Sequence, residues 1–284
     1  MNLAFVGLIL GAAWWDARPG VLTWGDELAW WPAGGAGRQV LRRDVHWGPA
    51  GCVEGNDLFV QDGRALIHVD LKSFDRETVE KDTEFSDCLV ATLYGKRGVL
   101  INHFMAQLRF YEAPDWTPHE LYSIYTASRQ GGLLWHDVDG DGLPDLFAGN
   151  YWVRNPGQEG FSWRLFAINA YHATPTAAQA HIARFDRDTV VWASPARVAL
   201  FRKPADFRQI WSETPLSGEF DEPAAVAVDG GQIFIGDRKR VVMYRDPATP
   251  EVIAGGFRTL GLWVRGDRIY VATPSGVKVL QRLR

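Results

Sequence analysis

A short order of segments recurs along this chain, and that recurrence limits the possible folds more than any single motif does. An apolar segment leads to an acidic or glycine turn, then to a second apolar segment and a third. Residues 180–183 lead through Asp186-Arg187-Asp188 to 190–193 and 198–201. Residues 224–228 lead through Asp229-Gly230-Gly231 to 233–236 and 241–244, and residues 261–264 lead through Gly266-Asp267 to 269–271 and 277–280. Looser copies lie towards the N-terminus: 88–91 before 98–101 and 107–111, 52–53 before 57–60 and 65–69, and 21–24 before 28–31. A proline three residues after the third segment marks the register, in Tyr111/Pro114, Phe201/Pro204, Tyr244/Pro247 and Val153/Pro156. The unit of about 36 to 48 residues with four short strands has the period and content of a propeller blade. Seven copies begin near residues 21, 51, 87, 132, 178, 223 and 259. They predict an all-β chain, a seven-bladed β-propeller of four-stranded antiparallel blades forming one domain over residues 14–284. The first copy lacks an innermost strand and the last runs out after its third, so residues before Val21 are the natural source of a strand that completes either one.

The fourth copy carries an insertion of a different kind. In Asp137-Val138-Asp139-Gly140-Asp141-Gly142-Leu143-Pro144-Asp145, carboxylates fall at positions one, three, five and nine. Four anions in nine residues repel one another unless a cation sits among them, and oxygen-only ligation at this spacing suits Ca2+. The carbonyl of Leu143 is the position-seven ligand, and Gly142 stands where the loop must bend. Position twelve is Ala148, not the bidentate Glu of an EF-hand, and the residues from Leu146 onward are strand-like, not the start of a helix. The segment therefore reads as a calcium loop between two strands.

Together with Gly149-Asn150-Tyr151-Trp152 and Arg154-Asn155-Pro156-Gly157, this run resembles an FG-GAP/VCBS-type repeat. The resemblance covers residues 132 to 170 and is degenerate in the other copies. It implies an integrin-α-like propeller with calcium between the first and second strands of a blade. Carried over by position, Asp137, Asp139, Asp141 and Asp145 would be side-chain ligands and Leu143 a carbonyl ligand of one structural Ca2+ site.

The net charge of −4 and pI near 6.0 give no electrostatic case for nucleic acid, and the run Arg238-Lys239-Arg240 reads as a solvated turn. Residues 3–15 are apolar but too short to span a bilayer. Small residues before position 14 make residues 1–13 a candidate signal peptide, which implies a secreted or periplasmic protein; if the run is instead a propeller strand, a cytoplasmic location follows. The two cysteines, Cys52 and Cys88, form no C-x-x-C pair. Two buried thiols and, in an exported chain, one disulfide are both open.

Catalytic signatures are incomplete. Gly95-Lys96 lacks the rest of a P-loop, His119-Glu120 lacks the second histidine of a zinc-protease helix, and no G-x-S-x-G elbow exists. Trp135 and His136 directly precede the calcium loop on an expected inner strand. His136 is a candidate for ligand binding or proton transfer in the channel, or for a plain hydrogen bond to a neighbouring blade. Most of the thirteen tryptophans fall in or beside strands, where they would fill space between blades; Trp47 and Trp116, at expected turns, are candidate platforms for a sugar ring or a protein. These features predict a non-enzymatic binding module for a carbohydrate or protein ligand. The rival readings are a polysaccharide-acting lyase or hydrolase with its site at the channel, and a structural remnant that binds nothing.

Overall fold

The computed structural model describes residues 7–35, 37–103, 107–123, 132–168, 180–195 and 197–282. These residues form six four-stranded antiparallel sheets and one three-stranded sheet, each built in chain order. The first strands of the sheets are Ile9–Trp15, Trp47–Glu54, Phe85–Leu93, Leu133–His136, His181–Arg184, Ala225–Asp229 and Gly261–Arg265. Each touches the first strand of the sheet before and after it, and Ile9–Trp15 touches Gly261–Arg265, so the seven inner strands close a ring. The protein is a seven-bladed β-propeller.

Blade stacking explains why the second strands read as continuous apolar runs. Each is covered on both faces, so neither set of alternating side chains meets water. In the fifth blade, Val190 and Trp192 point into the cluster shared with the fourth blade. Their neighbours Val191 and Ala193 point into the cluster shared with the sixth. The second blade divides the same way, with Leu58 and Val60 facing the first blade and Phe59 facing the third. The proline marks fall as expected, each in the link between the third and fourth strands of its blade.

Two glycines are required by this packing. Trp24, fully buried, lies against the inner strands of the first two blades and donates its Nε1–H to the Gly48 carbonyl at 2.9 Å. A Cβ on Gly11 would stand 2.3 Å from Trp24 Nε1, and one on Gly51 2.7 Å from Trp24 Cζ2. Only glycine lets the indole come this close to the backbone.

The ends of the chain differ in part from the sequence-based expectation. The first blade begins at Ile9 and not near residue 21, because the N-terminal apolar run supplies its inner strand, pairing Ala12 with Thr23 and Ala13 with Leu22. Cleavage after Ala13 would remove Ile9 to Ala13, five of the seven residues of that strand; residues 1–6 lie outside the described residues. The last blade has three strands among the described residues, and the two chain ends share no sheet. A backbone bond from Ile9 N–H to the Pro274 carbonyl at 3.2 Å and several side-chain contacts join them. Trp14 packs edge-on to Tyr270 at 5.0 Å, while Tyr270 Oη and Arg268 Nη1 donate to the Ala33 carbonyl at 3.0 and 2.9 Å.

Tryptophan does fill the gaps between blades, as at Trp152, Trp192 and Trp211 between the fourth and fifth. Trp47 and Trp116 are not exposed platforms: Trp47 is fully buried, and Trp116 packs on Phe59 and His68 at 5.4 and 5.2 Å.

Cys52 and Cys88 are joined in a disulfide, with Cα atoms 5.7 Å apart, that ties the inner strands of the second and third blades. The bond spans 36 residues, for which chain-entropy arguments give about 3–4 kcal/mol. The double variant Cys52→Ala/Cys88→Ala is expected to melt roughly 10 °C lower in calorimetry. A fall under about 2 °C would show that the crosslink adds nothing to the ring.

Candidate functional site

Inner strands of a propeller start at one face and end at the other, so the molecule offers two distinct ends for chemistry. Where the inner strands start, a cavity of about 900 Å³ opens at the channel mouth, lined by residues from all seven blades. Most of its lining residues are aliphatic, proline or glycine, with Gly11, Gly51, Leu133, Ile182 and Ala225 among them, and Gln61, Ser86 and Thr259 add polar groups to the wall. Its lip carries Glu84, Glu222 and Arg258, and deeper in the wall stand Asp87 and His181.

Asp87 and His181 are the titratable groups that sequence reasoning passed over. Asp87 Oδ1 accepts the Cys88 N–H at 2.9 Å, and Oδ2 accepts the Leu133 N–H of the next blade at 2.8 Å. Burial raises its pKa from 3.8 to about 6, against the opposing pull of N–H donors from Leu133, Cys88 and Gly132. The carboxylate thus clips the third blade to the fourth. Burial also lowers the pKa of His181 from 6.5 to about 4, so the imidazole is neutral at pH 7. The available signal was a titratable residue inside an apolar inner strand: Asp87 follows Phe85 and precedes Cys88-Leu89-Val90, and His181 opens a segment of Ile and Ala.

At the opposite face, the acidic loop leaves the inner strand Leu133–His136 and enters Asp145–Ala148. Gly140 and Gly142 adopt φ of 81° and 88°, the left-handed geometry that turns the loop back on itself. Carboxylate oxygens of Asp137, Asp139 and Asp145 lie within 4.8 Å of one another. Ca2+ bonds oxygen at about 2.3–2.6 Å, so oxygens across one ion stand about 5 Å apart at most. The three residues fit such an ion.

Each carboxylate also has protein partners. Asp137 accepts N–H groups from Gly140 and Gly142 at 2.8 and 3.1 Å. Asp145, fully buried, accepts Val138 N–H at 2.9 Å and Asn155 N–H at 2.8 Å, and burial raises its pKa to about 6. Asp141 stands apart from the cluster. It pairs with Arg154 Nη2 at 3.1 Å, and Arg154 Nε pairs with Asp139. The guanidinium therefore supplies one positive charge to the loop from the third strand of the same blade. Leu143 sits at the surface and donates its N–H to Asp141 Oδ1 at 2.9 Å.

Trp135 and His136 lie on the inner strand, as the repeat register placed them, but neither lines the channel cavity. His136 Nε2 donates to the Arg187 carbonyl of the fifth blade at 2.7 Å, and burial holds its pKa below the ordinary value. This is the hydrogen bond to a neighbouring blade, one of the two roles open to it from sequence. Trp135 packs beside Trp163, ring centroids 6.4 Å apart, in the cluster between the third and fourth blades.

Neither known protein families nor curated proteins match the sequence. Solved structures resemble it at the level of fold. The extracellular domain of the putative hybrid two component system BT4673 from B. thetaiotaomicron has TM-score 0.70 at 12% identity, covering 98% of this chain and 38% of that one. The chain spans little more than a third of the length of the BT4673 chains it matches, 38% and 39%. YCF48 from Cyanidioschyzon merolae gives 0.68 at 10% identity, covering 99% and 97%. A structure of YCF48 bound to D1 peptide gives 0.64 at 11% identity, covering 100% and 94%. The WD40 propeller domain of Doa1 gives 0.71 at 9% identity, covering 98% and 94%.

A raised carboxylate pKa in the folded state means that stability is lost as pH rises through the window from 3.8 to about 6. The lowered imidazole acts in the opposite direction between about 4 and 6.5. Removing the first contribution unmasks the second. The melting temperature of Asp87→Asn, relative to wild type at each pH, is therefore expected to rise as pH goes from 4 to 6. A pH-independent difference would show that the Asp87 carboxyl titrates alike in folded and unfolded chains.

Proposed function

We propose that this chain is a calcium-stabilised binding module that receives an extended segment of a partner protein in its channel mouth. The observation that carries the reading is the cavity of about 900 Å³, with its aliphatic and glycine wall and charged lip. Its size falls within the range of about 300–1,000 Å³ common to ligand sites. Glycine and small aliphatic walls admit peptide backbone closely, and Arg258 at the lip can pair with an acidic flank, while Glu84 and Glu222 are held by Arg64 and Arg238. A sugar would want aromatic faces; at the mouth Phe85 is buried and Trp263 half-buried. That a fold neighbour, YCF48, was solved with a peptide supports the same direction.

The alternative of a polysaccharide-acting lyase or hydrolase draws on Asp87 and His181 sharing one cavity with displaced pKa values. The carboxylate of Asp87 already serves backbone donors from Leu133, Cys88 and Gly132, which favours the structural clip. His136, the acid or base considered from sequence, has Nε2 committed to a carbonyl.

The fourth blade is read as an FG-GAP/VCBS-type repeat, holding one Ca2+ through Asp137, Asp139 and Asp145, with the Leu143 carbonyl and Asp141 completing the set. Asp141 would exchange Arg154 for the metal. Calcium there would relieve the repulsion among the carboxylates and fix the loop. The Cys52–Cys88 disulfide supports an oxidising, exported location.

Two measurements test this. Calcium at 2 mM, acting on a site of about 0.1 mM Kd, should add about 1.8 kcal/mol and raise the melting temperature by roughly 5 °C. Asp139→Ala should abolish that rise; an unchanged wild-type melting curve would end the calcium reading. Selection of a random peptide library on the purified protein should enrich sequences whose binding is lost in Ala224→Arg, which fills the mouth. No enrichment, or binding indifferent to that substitution, would contradict the proposed site.

A further inference from the structure

A second concavity of about 610 Å³ lies on the other face, between the edge of the third blade and the loop joining the last two strands of the fourth. It differs from the channel mouth in being aromatic. Phe161 is 61% exposed at its lip, Tyr94 and Tyr122 are half-buried along it, and Trp163 lies beneath. We infer that this groove is a binding site for a neutral oligosaccharide.

Charge decides the class of ligand. Glu112, Glu120 and Glu159 line the groove against the single ammonium of Lys96, so phosphate, sulfate and uronate groups are repelled. A cationic ligand would have to displace the partners that these carboxylates already hold. Lys96 Nζ stands 3.1 Å from both Glu112 and Glu159, bridging the two blades; His119 Nε2 is 3.0 Å from Glu112, and Gln107 bonds Glu120. Carboxylates held in fixed orientation keep spare lone pairs, which suit vicinal hydroxyls. Phe161 and the tyrosines offer ring faces to the apolar face of a sugar.

The backbone gives an independent sign. Tyr94-Gly95 forms the two-residue turn after the inner strand, with φ of 51° and 80°. Such turns favour Asn-Gly, since both positions need positive φ. Turns at the same place in the second, sixth and seventh blades are Gly55-Asn56, Gly230-Gly231 and Gly266-Asp267, of which Gly230-Gly231 also has positive φ at both positions. The third blade alone among these four places a large aromatic there, against the backbone preference. Phe74 and Trp116 also hold positive φ and pack on the core, whereas Tyr94 packs on the cluster shared with the fourth blade and in addition lines the groove. The facing wall is fixed in turn by the acidic loop: Asn155, which opens the loop bearing Glu159 and Phe161, donates its N–H to Asp145 and its Nδ2 to the Pro144 carbonyl at 3.0 Å.

Binding of the full chain to an array of neutral oligosaccharides, with oligolysine as the competing class, tests the inference. The tightest glycan is then titrated against Phe161→Ala and Tyr94→Asn. Tyr94→Asn restores the favoured turn residue but removes a ring packed on the cluster between the two blades, so its fold is checked by circular dichroism while glycan affinity should fall at least tenfold. Phe161→Ala should fall similarly, and Ala224→Arg, at the opposite face, should bind glycan as wild type does. The inference is overturned if no neutral glycan binds, if oligolysine alone binds, or if both groove variants keep affinity within twofold. None of these outcomes bears on the peptide site at the channel mouth.

Discussion

A four-stranded blade is too thin to have an interior of its own, so everything in this protein depends on each blade covering its neighbour. Among the described residues the core is divided among seven hydrophobic clusters, each shared by two adjacent blades. A blade removed from the ring would expose both faces of its second strand. Closure between first and last blades is therefore as necessary as any internal contact, and among the described residues it rests on a small cluster around Trp14, Val21, Tyr270 and Ala272, on the bonds to the Ala33 carbonyl and on the Ile9 N–H bond to the Pro274 carbonyl. The disulfide between the second and third blades adds a covalent link elsewhere in the same ring.

The ring also decides where chemistry can occur. Stacked blades leave little free surface along their faces, and ligands are left with the channel ends and the seams. The channel mouth offers small residues and charges, while the seam between the third and fourth blades offers rings and paired ions. The acidic loop belongs to the second region. It is bound on one side to the fifth blade, through Lys203 Nζ and the Val138 carbonyl at 2.7 Å, and on the other to the loop that walls the aromatic groove. A cation there would stiffen a seam and not occupy the channel.

Much of the fold was legible because a strand buried on both faces must be apolar throughout, and such runs stand out at each blade's second strand, as in Val190-Val191-Trp192-Ala193. The prolines after the third strands were equally readable, since proline punctuates the turn. What could not be read was contact between distant residues. Nothing local shows that Gly11 and Gly51 both make room for Trp24, or that Trp47 is buried and not an exposed turn. The Ile9–Trp15 strand was ambiguous for a physical reason: an apolar run with small residues satisfies both a leader and an inner strand. Asp87 and His181 are single polar residues within apolar inner strands, and nothing local to either places it at the channel mouth. The aspartate spacing of the loop was visible, but Arg154 reaching back to Asp139 and Asp141 was not.

Hydrogen exchange read by mass spectrometry, with calcium and with chelator, addresses the account most directly. Calcium should slow exchange in residues 137–145 and in the attached loop at 155–163, and leave the channel-mouth segments at 85–87 and 222–226 unchanged. Equal exchange at 137–145 in both conditions, or protection confined to the channel mouth, would contradict the account.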